Sequence, residues 1–260
     1  MMIYEPRGKA REYSPLAVNL FSGCGHKCSY CYVPDVIFKS RNDFDNNVSE
    51  RKNAIKELYK SAKKFRGINK QVLMSFTTDP YNPLNDETKL TASALEILFN
   101  NQIPVAILTK SGLRALQDLE LFKKFEGNIK VGASLTYDNE KHSRLVESGA
   151  ALPNERIEML KTLNKNNVRT WVSFEPIVQP YQTLNLLEKT VDFVDEYQLG
   201  KLAHDKRKFD WNYYLQTAVD ILRKNKKEFY IKKTLREAAP NVILTNNEKD
   251  MDYLTVKWNS

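Results

Sequence analysis

The sequence predicts an α/β protein: a partial, TIM-like (βα)6 barrel followed by a basic, mainly helical C-terminal extension. Two observations predict it. Short β-rich runs alternate with helical stretches through the first 200 residues, and such alternation implies right-handed βαβ units around a parallel sheet. At a little over 30 residues per unit roughly six units fit, fewer than the eight of a closed barrel. An open doubly wound sheet is the other arrangement that this alternation allows. We place the barrel in residues 1–200 and the extension, packed on it, in 201–260.

The strands are read at Leu16–Phe21, Gln71–Phe76, Pro104–Thr109, Lys130–Leu135, Val168–Phe174 and, less sharply, Asp195–Leu199. Each is about as long as an ordinary strand and rich in branched or aromatic residues. Between the first two, Ile55, Leu58, Tyr59, Ala62 and Phe65 recur at helical spacing, while Lys52, Lys56, Lys60, Lys63 and Lys64 take the other face. Leu95, Ile97, Leu98 and Phe99 follow the second strand as the next helix. Further helices are read at Leu113–Phe125 and Leu184–Val194. Pro153 stands at the head of a helix carrying Ile157, Leu160 and Leu163, where a first-turn proline costs no hydrogen bond. After residue 200 the pattern predicts helices at Trp211–Arg223 and Lys232–Ala238 and a strand at Tyr253–Trp258.

In a parallel sheet of this kind ligands gather at the C-terminal ends of the strands, so the residues just after each run are the candidates for function. The first such stretch is Ser22-Gly23-Cys24-Gly25-His26-Lys27-Cys28-Ser29-Tyr30-Cys31-Tyr32. It holds all three cysteines of the chain, spaced Cys-x3-Cys-x2-Cys. An odd number of thiols in one loop does not make a disulfide framework and reads as metal ligands or redox groups. Four-iron clusters ordinarily take four thiolates, so three leave one iron open to another ligand. Gly23 and Gly25 give the backbone room to approach a cluster and to adopt positive φ. A Cys3His zinc site using His26 competes, but His26 stands two residues from both Cys24 and Cys28, which is cramped for a tetrahedral site.

The spacing, with Tyr30 just before the third cysteine, resembles the radical S-adenosylmethionine (SAM) superfamily. The resemblance implies a 4Fe-4S cluster on Cys24, Cys28 and Cys31. Its open iron would chelate SAM, and reductive cleavage would yield a 5′-deoxyadenosyl radical that abstracts hydrogen. It also implies a low-potential electron donor such as flavodoxin or ferredoxin. Ser75-Phe76-Thr77-Thr78-Asp79-Pro80-Tyr81 after the second strand, Thr109-Lys110-Ser111 after the third, and Pro153 with Glu155-Arg156-Ile157 are similar to the spore photoproduct lyase-like branch. The likeness covers about residues 10 to 200.

On that resemblance Tyr30 packs near the adenine, and Ser75, Thr77, Asp79, Lys110, Ser134 and Glu175 are cofactor-binding candidates. Asp79 would accept from the SAM ammonium group and Lys110 would pair with its carboxylate. Tyr32 is the candidate for returning hydrogen, because the extra hydrogen-donating cysteine of the lyase has no counterpart here. That departure puts thymine-dimer repair in doubt.

Charge narrows the partners less sharply. The chain carries +8, and eleven basic against five acidic residues between Lys201 and Pro240 place +6 of it in one segment. Aromatic residues Phe209, Trp211, Tyr213, Tyr214, Phe229 and Tyr230 interleave with that charge, so a nucleic-acid strand is one expected partner. A solvated helix pair with its aromatics packed inward is the other reading. A nucleic-acid-binding protein with a structural zinc site is therefore the alternative function. No run of about 18 apolar residues and no secretory leader is visible, so we expect a cytoplasmic protein without a membrane span.

Overall fold

In the computed structural model, which describes residues 2–203 and 205–258, seven strands form one parallel sheet. They are β1 (Leu16–Val18), β2 (Val72–Met74), β3 (Val105–Thr109), β4 (Ile129–Ser134), β5 (Arg169–Ile177), β6 (Glu196–Lys201) and β7 (Glu228–Ile231). They lie in chain order, so β1 and β7 are its edges, as in a partial barrel. The connecting helices include α1 (Ala54–Lys64), α2 (Leu90–Asn100), α3 (Leu119–Lys124), α4 (Pro153–Lys165), α5 (Pro180–Thr190) and α6 (Trp211–Lys224). No helix among the described residues is long and apolar enough to cross a membrane.

The two-residue period of the strands divides the core. Leu16, Val18, Val72, Met74, Val105 and Ile107 join the large cluster shared with the helices, whereas Ala17, Leu73, Ala106 and Trp171 form a second cluster on the other face, inside the barrel. Small residues on that inner face leave space that Trp171 fills. Its indole N–H donates to Ile107 O at 2.9 Å, and Gly132 makes room for it, since a Cβ there would collide with the tryptophan. Tyr13 and Phe76 pack on this cluster edge to face.

Three details differ from the expectations. The first run stops at Val18, and Phe21–Ser22 turns away to pair antiparallel with Ser49–Glu50. Alternation does not end at residue 200, because α6 leads into β7, which pairs parallel with β6 and extends the sheet beyond six strands. The segment Tyr253–Trp258 is not a strand. Its backbone N–H groups go to side chains, Val256 to Gln71 Oε1 and Trp258 to Asn69 Oδ1, both at 2.9 Å. This tail runs under the N-terminal ends of the strands, where Leu254 O accepts from buried Lys130, itself paired with Glu196 at 2.6 Å.

The aromatic residues of the basic segment are also mostly unavailable for stacking. Trp211, Tyr214, Phe229 and Tyr230 are buried, and Tyr213 is exposed. Lys232 is buried too, and Arg223 pairs with Glu248 at 2.7 Å. Four of the six aromatic side chains of this segment are thus packed inward, while Phe209 is half-buried and Tyr213 exposed.

Candidate functional site

The cysteine loop lies at the C-terminal end of β1 and is held on both sides by backbone. Gly23 has φ +84°, and a Cβ there would lie 2.8 Å from Phe44 O and 2.9 Å from Asn47 O, so only glycine fits. Cys24 N–H donates to Phe44 O at 2.9 Å. Arg41 caps the loop from outside by donating to Cys28 O and Ser29 O. On the inner side the segment after β4 runs against it. Ser29 N–H donates to Val146 O, Gly149 N–H to His26 O, and Cys28 pairs with Glu147 as an isolated antiparallel bridge. Gly25 has no positive φ, so of the two loop glycines Gly23 alone meets that expectation.

Cys28 is buried, and Cys24 and Cys31 are partly so. Burial pushes all three thiols upward, Cys28 to about 12, and the charge of one raises the others. Burial disfavours the free thiolate at each of them, and a bound metal would supply the countercharge that a thiolate needs there. Among the described residues no three His, Cys, Asp or Glu side chains gather at the spacing of a single ion's ligands.

His26 is not free to serve as a ligand. Its Nε2 lies 2.9 Å from Asp79 Oδ2 and 3.2 Å from Ser111 Oγ, and its Nδ1 lies 3.2 Å from Gly149 O. Asp79 in turn accepts from Thr109 Oγ1, Ser111 Oγ, the Tyr81 N–H and the Lys110 N–H. Burial alone would raise the Asp79 carboxyl, but the His26 ring and these donors hold it well below the ordinary range. This carboxylate ties the cysteine loop to the ends of β2 and β3. Its two oxygens are already shared among five groups of the chain, which leaves it little capacity for the ammonium group that the sequence reading assigned to it.

A second buried network was not visible in the sequence. Glu147 accepts from Tyr30 Oη and from Arg156 at 2.7 Å, and its Oε1 lies 3.3 Å from Lys110 Nζ. Arg156, reaching in from α4, also donates to Ser134 O and Ala151 O. Burial opposes ionisation of Glu147, and Lys110 and Arg156 overcome it, so its carboxyl also sits low. Tyr30 is thereby pinned between Glu147 and Thr136, with Lys110 Nζ 5.7 Å from its ring centre. Arg156 stands in the Glu-Arg-Ile run that carried the family resemblance. No local pattern around Glu147 marked it.

The other candidates line the mouth. Ser75 is buried with no partner for its hydroxyl, and the N–H groups of Phe76 and Thr77 both donate to Asn19 Oδ1 at 2.8 Å. Thr78 donates to Gly23 O, so this turn is bonded directly to the cysteine loop. Lys110 Nζ is within ion-pair reach of Glu147 but makes no hydrogen bond, leaving its donors open. Ser134 ends β4 at the same level. Tyr32 is 53 % exposed on the rim, where partial desolvation and then the charges of Glu175 and Cys31 raise its pKa. Glu175, whose charge reaches Tyr32, is itself bonded to Tyr13 Oη and Lys232 Nζ.

A pH consequence follows from the two depressed carboxyls. A group whose folded pKa lies below its unfolded value stabilises the fold above the unfolded value and loses that contribution as pH falls toward the folded one. With unfolded carboxyls near 4, the melting temperature should hold down to about pH 5 and drop below about pH 4. Thermal melts of the wild type and Glu147→Gln check this, since the variant should show a shallower acid limb. Identical limbs would assign the acid sensitivity elsewhere.

Comparison with known proteins supports the same region. The family model of the Radical SAM superfamily matches residues 18–194. The uncharacterized protein MJ0683 of Methanocaldococcus jannaschii is 29% identical over 162 residues, covering 62% of this chain and 60% of its own. The uncharacterized protein Rv2578c of Mycobacterium tuberculosis is 26% identical over 168 residues, covering 62% of this chain and 49% of its own. The chain thus matches about half to three-fifths of the length of these curated relatives. Among solved structures, Streptococcus suis SuiB bound to S-adenosylmethionine superposes with a TM-score of 0.65 at 15% identity, over 88% of this chain and 53% of that one. Spore photoproduct lyase complexed with dinucleoside spore photoproduct also gives 0.65, at 14% identity, over 87% and 78%. At such identities the structural likeness is one of fold. The family model, by contrast, spans well over half of the chain and contains the whole cysteine loop, and the chain belongs to the radical SAM superfamily.

Proposed function

We propose that this protein is a radical SAM enzyme whose cluster is held by Cys24, Cys28 and Cys31. The observation that carries the reading is a glycine-bearing loop with three thiols, and no spare histidine, at the C-terminal mouth of a partial parallel barrel. The donor set fits the group. A bridged cluster contains several metal atoms, so its ligands need not converge on one point, and nearby Ser75 Oγ, which has no partner, and Lys110 Nζ, which is ion-paired with Glu147 but makes no hydrogen bond, are polar groups available to a polar cofactor. When bound and reduced by a low-potential donor such as flavodoxin or ferredoxin, the cluster supplies reductive cleavage of SAM to a 5′-deoxyadenosyl radical.

The chain's own residues then have distinct tasks. Cys24, Cys28 and Cys31 ligate, and Asn19, Asp79 and Glu147 fix the loops around them. Lys110 offers a cation to the SAM carboxylate, and Ser75, Thr77 and Ser134 offer hydrogen bonds to its polar parts. Tyr30, locked by Glu147 and Thr136, presents a ring wall toward the adenine. Tyr32, at the rim beside Glu175, is the residue positioned to return hydrogen to a product.

The zinc alternative requires His26 as a fourth ligand, and both of its ring nitrogens are already engaged. His26→Gln tests the distinction. We expect the variant to retain iron and sulfide after anaerobic reconstitution. Loss of a bound zinc ion on His26→Gln, with no sulfide in either protein, would instead favour the zinc-site reading.

A further inference from the structure

Across the barrel from the cysteine loop stands a polar wall with no task in the reading above. Ser173, Gln198 and Tyr230 are register partners on β5, β6 and β7, so their side chains point to one face. Ser173 Oγ lies 3.4 Å from Tyr13 Oη, which packs on the inner cluster, so that face is the barrel interior. One step further along the strands Glu175 Oε2 accepts from both Tyr13 Oη and Lys232 Nζ. Gly200 makes this possible, because a Cβ there would lie 2.9 Å from Lys232 Cδ and 3.0 Å from Glu175 Cδ.

Two groups on this wall have unspent capacity. Gln198 is 3 % exposed, and its Oε1 accepts from nothing. Lys232 is 1 % exposed; its ammonium can donate three hydrogen bonds, and its Nζ donates to Glu175 and lies over the Tyr13 ring. A buried acceptor without a partner is costly, and a ligand bearing an N–H would relieve it. An acceptor and a donor at adjacent steps of one wall complement a group that offers the reverse pair, an N–H next to a carbonyl.

We propose that Gln198 and Lys232 are specificity residues that take the substrate by an amide-type –CO–NH– group, the N–H donating to Gln198 Oε1 and the carbonyl accepting from Lys232. Tyr13, Gln198, Tyr230 and Lys232 all lie outside residues 18–194 that the family model matches. The shared segment carries the cysteine loop, and the flanks of this chain supply the opposite wall. The proposal deepens the radical SAM reading and rests on it for calling the ligand a substrate; the binding itself needs no cluster.

The test uses the full chain, as purified and after reconstitution, with 2-pyrrolidinone as probe and N-methyl-2-pyrrolidinone, which lacks the N–H, as its control. Ligand-observed saturation-transfer NMR should show the first binding about tenfold more tightly, the worth of one hydrogen bond. Gln198→Leu should bring the two lactams level, and Gln198→Glu, which keeps an acceptor, should preserve the difference. Equal binding of both lactams to the wild type, or no binding of either, overturns the proposal without recourse to any variant. Lactam discrimination in a chain that takes up no iron and sulfide would leave this wall intact and overturn the radical SAM reading alone.

Discussion

Replacing Gly149 by alanine should cost the protein its cluster. A Cβ at this position would fall on the Gly25 carbonyl and within 3.1 Å of the His26 Cα, which is backbone of the cysteine loop and not a flexible side chain that can swing away. The same residue donates its N–H to His26 O and accepts from the His26 ring, so the loop cannot retreat without losing both bonds. Overpacking of this kind costs about 1–3 kcal/mol, and displacement of the loop would move Cys24 and Cys28 relative to Cys31. The expected result after anaerobic reconstitution is a folded chain with a lowered melting temperature and most of its iron and sulfide missing. Gly149→Ala with wild-type cluster content would show that the segment after β4 does not brace the ligand loop.

Glu147→Ala should be the more destabilising change. It leaves Arg156, which is 1 % exposed, without its carboxylate, and it removes the acceptor for Tyr30 and the counterion of Lys110. Breaking a buried pair from one side costs about 3–5 kcal/mol, because the remaining charge stays out of water without compensation. Denaturant titration should show a lower midpoint and an unfolding free energy reduced by about that amount at unchanged m, with Glu147→Gln falling between the variant and the wild type. Removing both charges, as in Glu147→Leu with Arg156→Met, should recover part of the loss. A double variant no better than Glu147→Ala would locate the cost in Tyr30 and Lys110 instead.

The sequence made the cysteine loop legible because its spacing is local: three thiols, two glycines and a tyrosine sit in one short run. The first six strands were legible for the same reason, each being a compact β-rich run within a few residues of its observed bounds. β7 was missed because Glu228–Ile231 is short and follows a dense run of lysines, so charge masked a strand whose inner residues become buried only against β6. Tyr253–Trp258 failed in the opposite way, since its alternating apolar residues pack under the sheet while its N–H groups bond to Gln71 and Asn69 side chains.

Site roles divide along the same line. Asp79 was read as a strand-end carboxylate able to accept from the SAM ammonium group, yet its partners His26, Thr109 and Ser111 come from two other loops, and only the fold shows that they engage its oxygens. Glu175 was read as a cofactor ligand from its strand-end position, whereas its observed partners, Tyr13 and Lys232, arrive from the two flanks of the chain. Glu147 had no local signature at all, since its partners stand at residues 30, 110 and 156.

Anaerobic reconstitution followed by iron and sulfide analysis and an assay for 5′-deoxyadenosine, from SAM and a strong reductant, is the most direct measurement. The expected result is one cluster of four irons and four sulfides per chain, with reductant-dependent 5′-deoxyadenosine that disappears in Cys28→Ala. Zinc without sulfide, or a cluster that leaves SAM intact, would contradict the radical SAM reading.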